Sequence, residues 1–239
     1  DAAIRVMVDL TPEMADLWTA LGAPTAGPTR AIQFVAATTG EGASTLAREF
    51  AFFASKRARR GVWLVDLDLM GAAQHEAIDA QSARYGVLGK ASAASPDGSA
   101  FFTVQPPTVS NDAERWPDAR YLVAHSVGGQ RLWVTRFRRE ALASTQSAHI
   151  LPTENYWRSL KRHAELIVVD GPALDQGASA LTVAPRMDST VIVVAADAPD
   201  PDASAALKAA IQNAGGRCAG IVFNKAREET PKFLRGIAP

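Results

Sequence analysis

Three aspartates and a short glycine turn are the residues whose types and spacing could do chemistry. The turn is Thr38-Thr39-Gly40-Glu41-Gly42-Ala43-Ser44-Thr45, set between an apolar run and a helical pattern. In an open parallel sheet, such a strand-to-helix turn brings backbone N–H groups and a helix N-terminus together on an anion. Glycines at 40 and 42 would let the backbone wrap a phosphate, and Ser44 would place a hydroxyl where Mg²⁺ is held. The regular pattern G-x-x-x-x-G-K-[ST] is met only at Gly42 and Ser44. A glycine turn with a capping serine and no ligand reads equally well at this point.

Two more segments bear on the choice. VWLVDLDLMG ends an apolar run with Asp66 and Asp68, and LIVVDGP ends another with Asp170. Ligands of open α/β sheets bind at the carboxyl ends of the strands, so these carboxylates stand where catalysis or a Mg²⁺ ion would need them. Each aspartate alone could simply cap its turn. Three of them beside one glycine loop are harder to explain that way. Asn224, closing GIVFN before Lys225, offers an amide suited to an adenine edge.

Elements able to position these residues are legible in the sequence. Val- and Ile-rich runs recur at 31–37, 61–68, 131–137, 165–171, 189–197 and 218–225. Each is too short for a helix and too continuous for a one-sided strand, as expected of strands buried on both faces. Helical patterns at 44–59 and 202–214 separate some of them. The reading is α/β: a three-layer αβα sandwich with a mostly parallel central sheet. Residues 31–239 form its main domain. Residues 1–30 supply a short amphipathic helix, with Thr11 as N-cap and Pro12 at the first helical position, and a Gly/Pro linker. The Ala-, Ser- and Pro-rich stretch at about 90–130 breaks the rhythm and reads as an irregular, partly mobile insertion, with Trp116 exposed in it.

Composition narrows the function classes. In 239 residues, 25 basic and 25 acidic side chains cancel, so no overall field steers the chain to nucleic acid. Its single cysteine, Cys218, allows no internal disulfide and reads as a buried thiol. The opening, DAAIRVMVDL, lacks the basic-then-apolar order of a signal peptide, so a cytoplasmic location is expected. The four histidines show no ligand spacing, and the run KRARRG at 56–61 reads as the solvated end of a helix.

Taken together, the motifs resemble the ParA/MinD-like branch of P-loop ATPases, and most closely the bacterial tyrosine kinases of capsule and exopolysaccharide biosynthesis. That family shows P-G-E-G-K-S-T, then D-x-D-x-R, D-T-P-P and a late G-V-x-x-N-K. Here they stand as Thr39–Thr45, Asp66-Leu67-Asp68-Leu69-Met70, Asp170-Gly171-Pro172-Ala173 and Gly220–Lys225. The resemblance implies the P-loop fold and ATP or ADP with Mg²⁺. Gly40, Glu41, Gly42, Ala43, Ser44, Thr45 and Asn224 would face the nucleotide, and Ser44, Asp66 and Asp170 the metal. It also implies a membrane-embedded polysaccharide co-polymerase or export partner at the inner membrane, and a homodimer.

The departures point away from catalysis. Ala43 replaces the loop lysine, Thr38 stands at the second, signature lysine of the ParA/MinD branch, Met70 replaces the arginine and Gly171 the threonine. The first helix carries Glu13, Asp16 and Thr19 where ring-forming relatives show E-x-x-R-x-x-R, and REETPKFLRGIAP replaces a tyrosine cluster. The expectation is a degenerate kinase-like scaffold or regulator, with nucleotide binding weak or lost. Two alternatives stand beside it: an active ParA/MinD-type ATPase that localises a polysaccharide synthase, and a dinucleotide enzyme, for which GEGAST is a loose fingerprint lacking the third glycine.

Overall fold

The computed structural model describes residues 9–23, 27–108 and 116–226. Strands β1 (Arg30–Ala36), β2 (Gly61–Asp66), β6 (Leu132–Phe137), β8 (Ala164–Asp170), β9 (Ser189–Ala195) and β10 (Cys218–Asn224) are the six apolar runs read from the sequence. Four further strands are β3 (Ser92–Ala93), β4 (Phe102–Gln105), β5 (Leu122–Val127) and β7 (Ser147–Ile150). The main sheet runs β10-β9-β1-β8-β2-β6-β5-β3, parallel from β10 to β6 and antiparallel at β5 and β3, while β4 and β7 pair separately.

Alternation along the central strands explains the layers. Ile32, Phe34, Leu166 and Val168 face the cluster made by α1 (Thr11–Ala20) and α2 (Ala43–Ser55), which adds Met14, Leu17, Leu46 and Phe50. Ile167 and Val169 face the opposite cluster, with Tyr156, Trp157 and Leu160 of α5 (Asn155–His163). Val35, Ile192 and Val194 meet Leu207 and Ile211 of α7 (Pro201–Asn213) on that same side. A strand buried on both faces must be apolar at consecutive positions, hence the continuous runs. Three shorter helices complete the set: α3 (Ala73–Ala80), α4 (Ser82–Tyr85) and α6 (Ser179–Val183).

Several sequence expectations are corrected. Between 90 and 130 the described part holds regular strands, and Phe101, Phe102 and Val104 are buried in the core against α5. Strands of two to four residues carry too little periodicity to read, and β5, LVAHSV, mixes polar and apolar positions because it lies towards the sheet edge. Trp116 is half-buried, its ring 4.9 Å from that of Tyr121. Thr11 is the first helical residue and not the cap: Leu10 holds that position, and Asp9 accepts the Thr11 amide at 3.0 Å. Cys218 is half-buried, since β10 is an edge strand. The basic run after α2 lies partly on aromatic faces, with Lys56 4.0 Å from the Phe52 ring and Arg57 3.4 Å from that of Phe53. Glu13, Asp16 and Thr19 are exposed on α1. The final segment, 227–239, lies outside the described residues. No helix among the described residues is long and apolar enough to cross a membrane.

Candidate functional site

Strand order builds the site. β8 lies between β1 and β2, with Phe34 and Asp66 both in register with Asp170. The turn after β1 and the carboxylates ending β2 and β8 therefore meet at one sheet edge. They line a cleft of about 350 Å³ with Thr38, Gly40, Gly42, Ser44, Asp66, Asp68 and Asp170 on its walls. A second, wider cleft of about 680 Å³ adjoins it, sharing Asp68, Pro172 and Gln176.

The loop backbone has the curvature of an anion cradle. Gly40 and Gly42 adopt φ of 92° and 97°, a region that only glycine enters without strain, and Gly42 caps α2. Among the described residues, the amides of Gly42, Ala43, Ser44 and Thr45 find no intramolecular acceptor. They are free donors at the positive end of a helix of 13 residues. Other loop amides are occupied. Thr38 N–H donates to the Glu41 carboxylate at 2.9 Å and Thr39 N–H to Asp175 at 2.9 Å. Glu41 also accepts the Ala195 amide at 3.3 Å, so its carboxylate ties the loop to β9. Asp175, which stitches Thr39 to the turn after β8, was not singled out in the sequence. Nothing local marks it, because its partner lies far away in the chain.

The carboxylates are enclosed in protein donors. Asp66 accepts the amides of Asp68 at 2.9 Å and Gln74 at 3.0 Å, and Asp170 accepts the Ser44 hydroxyl at 3.0 Å and the Gln74 side-chain amide. Burial raises the Asp66 carboxyl well above its ordinary range, and the Asp170 charge adds to this. Burial also pushes Asp170 up, to about 6, against the opposing pull of its hydrogen bonds from Gln74 and Ser44. Asp68 is exposed and accepts the Gly71 amide at 2.9 Å. Gln74 and Arg48, which turn out to be central, carried no sequence signal, since a buried amide on a short helix looks like any surface glutamine.

Asn224 is not among the cleft-lining residues. Its side-chain amide donates to the Glu41 carbonyl at 2.9 Å and so braces the turn. Ala43 lines the cleft, and no lysine or arginine does so among the described residues. Lys56, one conceivable substitute, faces Phe52 in a different groove. His75 and His125, unrelated by spacing, are in contact with ring centroids 4.7 Å apart. Among the described residues no group of three metal-ligating side chains forms.

Structural comparison settles the fold. The kinase domain of the Escherichia coli tyrosine kinase ETK matches with a TM-score of 0.57 at 13 % identity, covering 91 % of this chain and 74 % of that one. The VpsO kinase domain matches with a TM-score of 0.54 at 16 % identity, covering 89 % and 92 %. The chain has the fold of the bacterial tyrosine-kinase domains. BceF, another tyrosine kinase domain, gives a TM-score of 0.50 at 20 % identity over 90 % of this chain and 75 % of that one. No family model and no curated protein matches the sequence.

Tested against this geometry, the implied cofactor divides in two. The free amides at the start of α2 fit a phosphate group. The cation position fits less well, because every oxygen of both carboxylates already accepts a hydrogen bond from the protein.

Proposed function

We propose that this protein is a tyrosine-kinase-like P-loop protein without phosphoryl-transfer competence. It acts as a regulatory or scaffolding partner in bacterial exopolysaccharide biosynthesis and export. The observation that carries the reading is the composition of the cleft: a phosphate cradle and three aspartates, with Ala43 at the lysine position and, among the described residues, no cationic side chain on the walls. Phosphoryl transfer needs positive charge on the oxygens that become more negative in the transition state. Among the described residues, the charged side chains lining the cleft are all acidic.

The tyrosines of this sequence are also withdrawn from solvent. All three tyrosines of the sequence, Tyr85, Tyr121 and Tyr156, are at most 1 % exposed. The resemblance supports the polysaccharide setting and a membrane-embedded co-polymerase or export protein as partner, reached from the cytoplasmic side, with ATP or ADP as a weakly held ligand.

Incubation with radiolabelled ATP and Mg²⁺ tests the reading. Neither phosphotyrosine nor phosphate release above background is expected. Convergence of Asp66, Asp68 and Asp170 on the loop favours one competing reading, an active ParA/MinD-type ATPase. Turnover abolished by Asp66→Asn or Asp170→Asn would select it.

A further inference from the structure

Gln74 is completely buried, lies outside the set of residues that line the cleft, and bonds to both carboxylates that a divalent cation would need. Its Nε2 donates to the Ser44 carbonyl at 2.8 Å and to the Asp170 carboxylate, and its Oε1 accepts from Arg48 Nη1 at 3.0 Å. Its backbone N–H donates to Asp66 at 3.0 Å. One residue thus contacts both carboxylates and the residue that carries the candidate metal hydroxyl.

The partners fix the orientation of this amide. A flipped amide would set its oxygen against the Asp170 carboxylate and the Ser44 carbonyl, and its NH₂ against a guanidinium. Arg48 in turn is 8 % exposed, lies one helical turn beyond Ser44 on α2, and donates from Nε to the Tyr85 hydroxyl at 3.2 Å. Tyr85 donates onward to Glu49, which pairs with Arg84 at 2.7 Å. The amide is therefore held from behind by a chain of buried, mutually satisfied groups.

We propose that the Gln74 amide, anchored by Arg48, supplies from within the protein the contacts to Asp170 that a divalent cation would otherwise supply, so that the cleft takes a phosphate-bearing ligand without metal. The proposal rests on the phosphate-cradle reading above and specifies its ligand: a nucleoside diphosphate or triphosphate as the free anion. The physical reason is competition. Mg²⁺ demands near-octahedral oxygen ligands at about 2.0–2.1 Å. At Asp170 and Asp66 it would have to share the oxygens with amide hydrogens that are already in place, and Arg48 supplies buried positive charge behind the pair. Donors already on these oxygens, with the Arg48 charge behind them, reduce the electrostatic gain from a bound cation.

The test uses the purified protein and its Gln74→Ala variant, which opens the space and removes the side-chain donors. Mn²⁺ binding to each protein, with and without ADP, is read by electron paramagnetic resonance. ADP affinity is measured by calorimetry in Mg²⁺ and in EDTA. The expected results are no bound Mn²⁺ in the unmodified protein, with ADP affinity equal within about two-fold in the two buffers. Gln74→Ala should bind Mn²⁺ and hold ADP at least ten-fold more tightly in Mg²⁺ than in EDTA. Mn²⁺ retained by the unmodified protein, or a variant that gains none, overturns the proposal. If neither protein gives heat with ADP, the cradle reading fails, while the Mn²⁺ comparison still decides the role of Gln74. Should Gln74→Ala not fold, Gln74→Ser opens the same space with a smaller polar side chain.

Discussion

The side-chain amide of Asn224 lies 2.0 Å from where a Cβ on Gly42 would stand, while donating to the carbonyl of the neighbouring Glu41. The last strand thus presses directly on the loop that opens α2. Gly42→Ala meets both this clash and the φ of 97°, and is expected to destabilise by about 1–3 kcal/mol from backbone strain, with the collision adding to it. Asn224→Ala relieves the collision only. Urea denaturation of both single variants and the double variant should show coupling of at least about 0.5 kcal/mol, because the two residues share one contact. Strict additivity would mean that Asn224 does not brace the loop.

Restoring the missing charge gives a second test. In Ala43→Lys, an ammonium group enters a cleft walled by Asp66, Asp68 and Asp170. A charge-assisted hydrogen bond contributes roughly 1.5–3 kcal/mol, so ATP affinity should rise by about ten- to hundred-fold. Calorimetric titration measures it directly. An unchanged affinity would show that the loop amides do not face the phosphates.

The fold was readable because its central strands are buried on both faces and therefore apolar without interruption. Ile167 and Val169 face one helix layer, while Leu166 and Val168 face the other. The loop and the three aspartates were readable for a related reason: each lies within a few residues of such a strand. What stayed hidden depends on contacts across the chain. Gln74 acquires meaning only from Ser44, Arg48 and Asp170, and Asp175 only from Thr39, 136 positions away. Asn224 is visible as a strand-end amide, whereas its bond to the Glu41 carbonyl, 183 positions away, is not.

Tyr85 joins Arg48 to Glu49 through one hydroxyl, buried behind the candidate site. Tyr85→Phe preserves the ring and its packing against Phe52, with centroids 5.1 Å apart, but removes both hydrogen bonds. Leaving buried polar partners short of a hydrogen bond costs about 1–3 kcal/mol, which chemical denaturation should register. A neutral result would mean that Arg48 and Glu49 find water or each other once the hydroxyl is gone.

The raised carboxyls predict an unusual pH dependence. In the native state Asp170 titrates at about 6, above its ordinary value of 3.8, so between these limits the folded protein binds more protons than the unfolded one. Stability from this group is therefore complete below pH 4 and is lost as pH rises towards 6. Asp170→Asn cannot ionise and escapes that loss. Asp66 acts in the same sense, because removing the Asp170 charge eases its own ionisation. The stability of the variant relative to the unmodified protein should thus climb by an amount on the order of a few kcal/mol between pH 4 and 7, whatever offset its altered hydrogen bonds impose at low pH. Paired denaturation curves at half-unit pH steps cancel the carboxylates remote from Asp170, so that the difference reads Asp170 together with Asp66. A difference that stays flat across this range would mean that Asp170 is ionised in the native state throughout, with water or a cation reaching it.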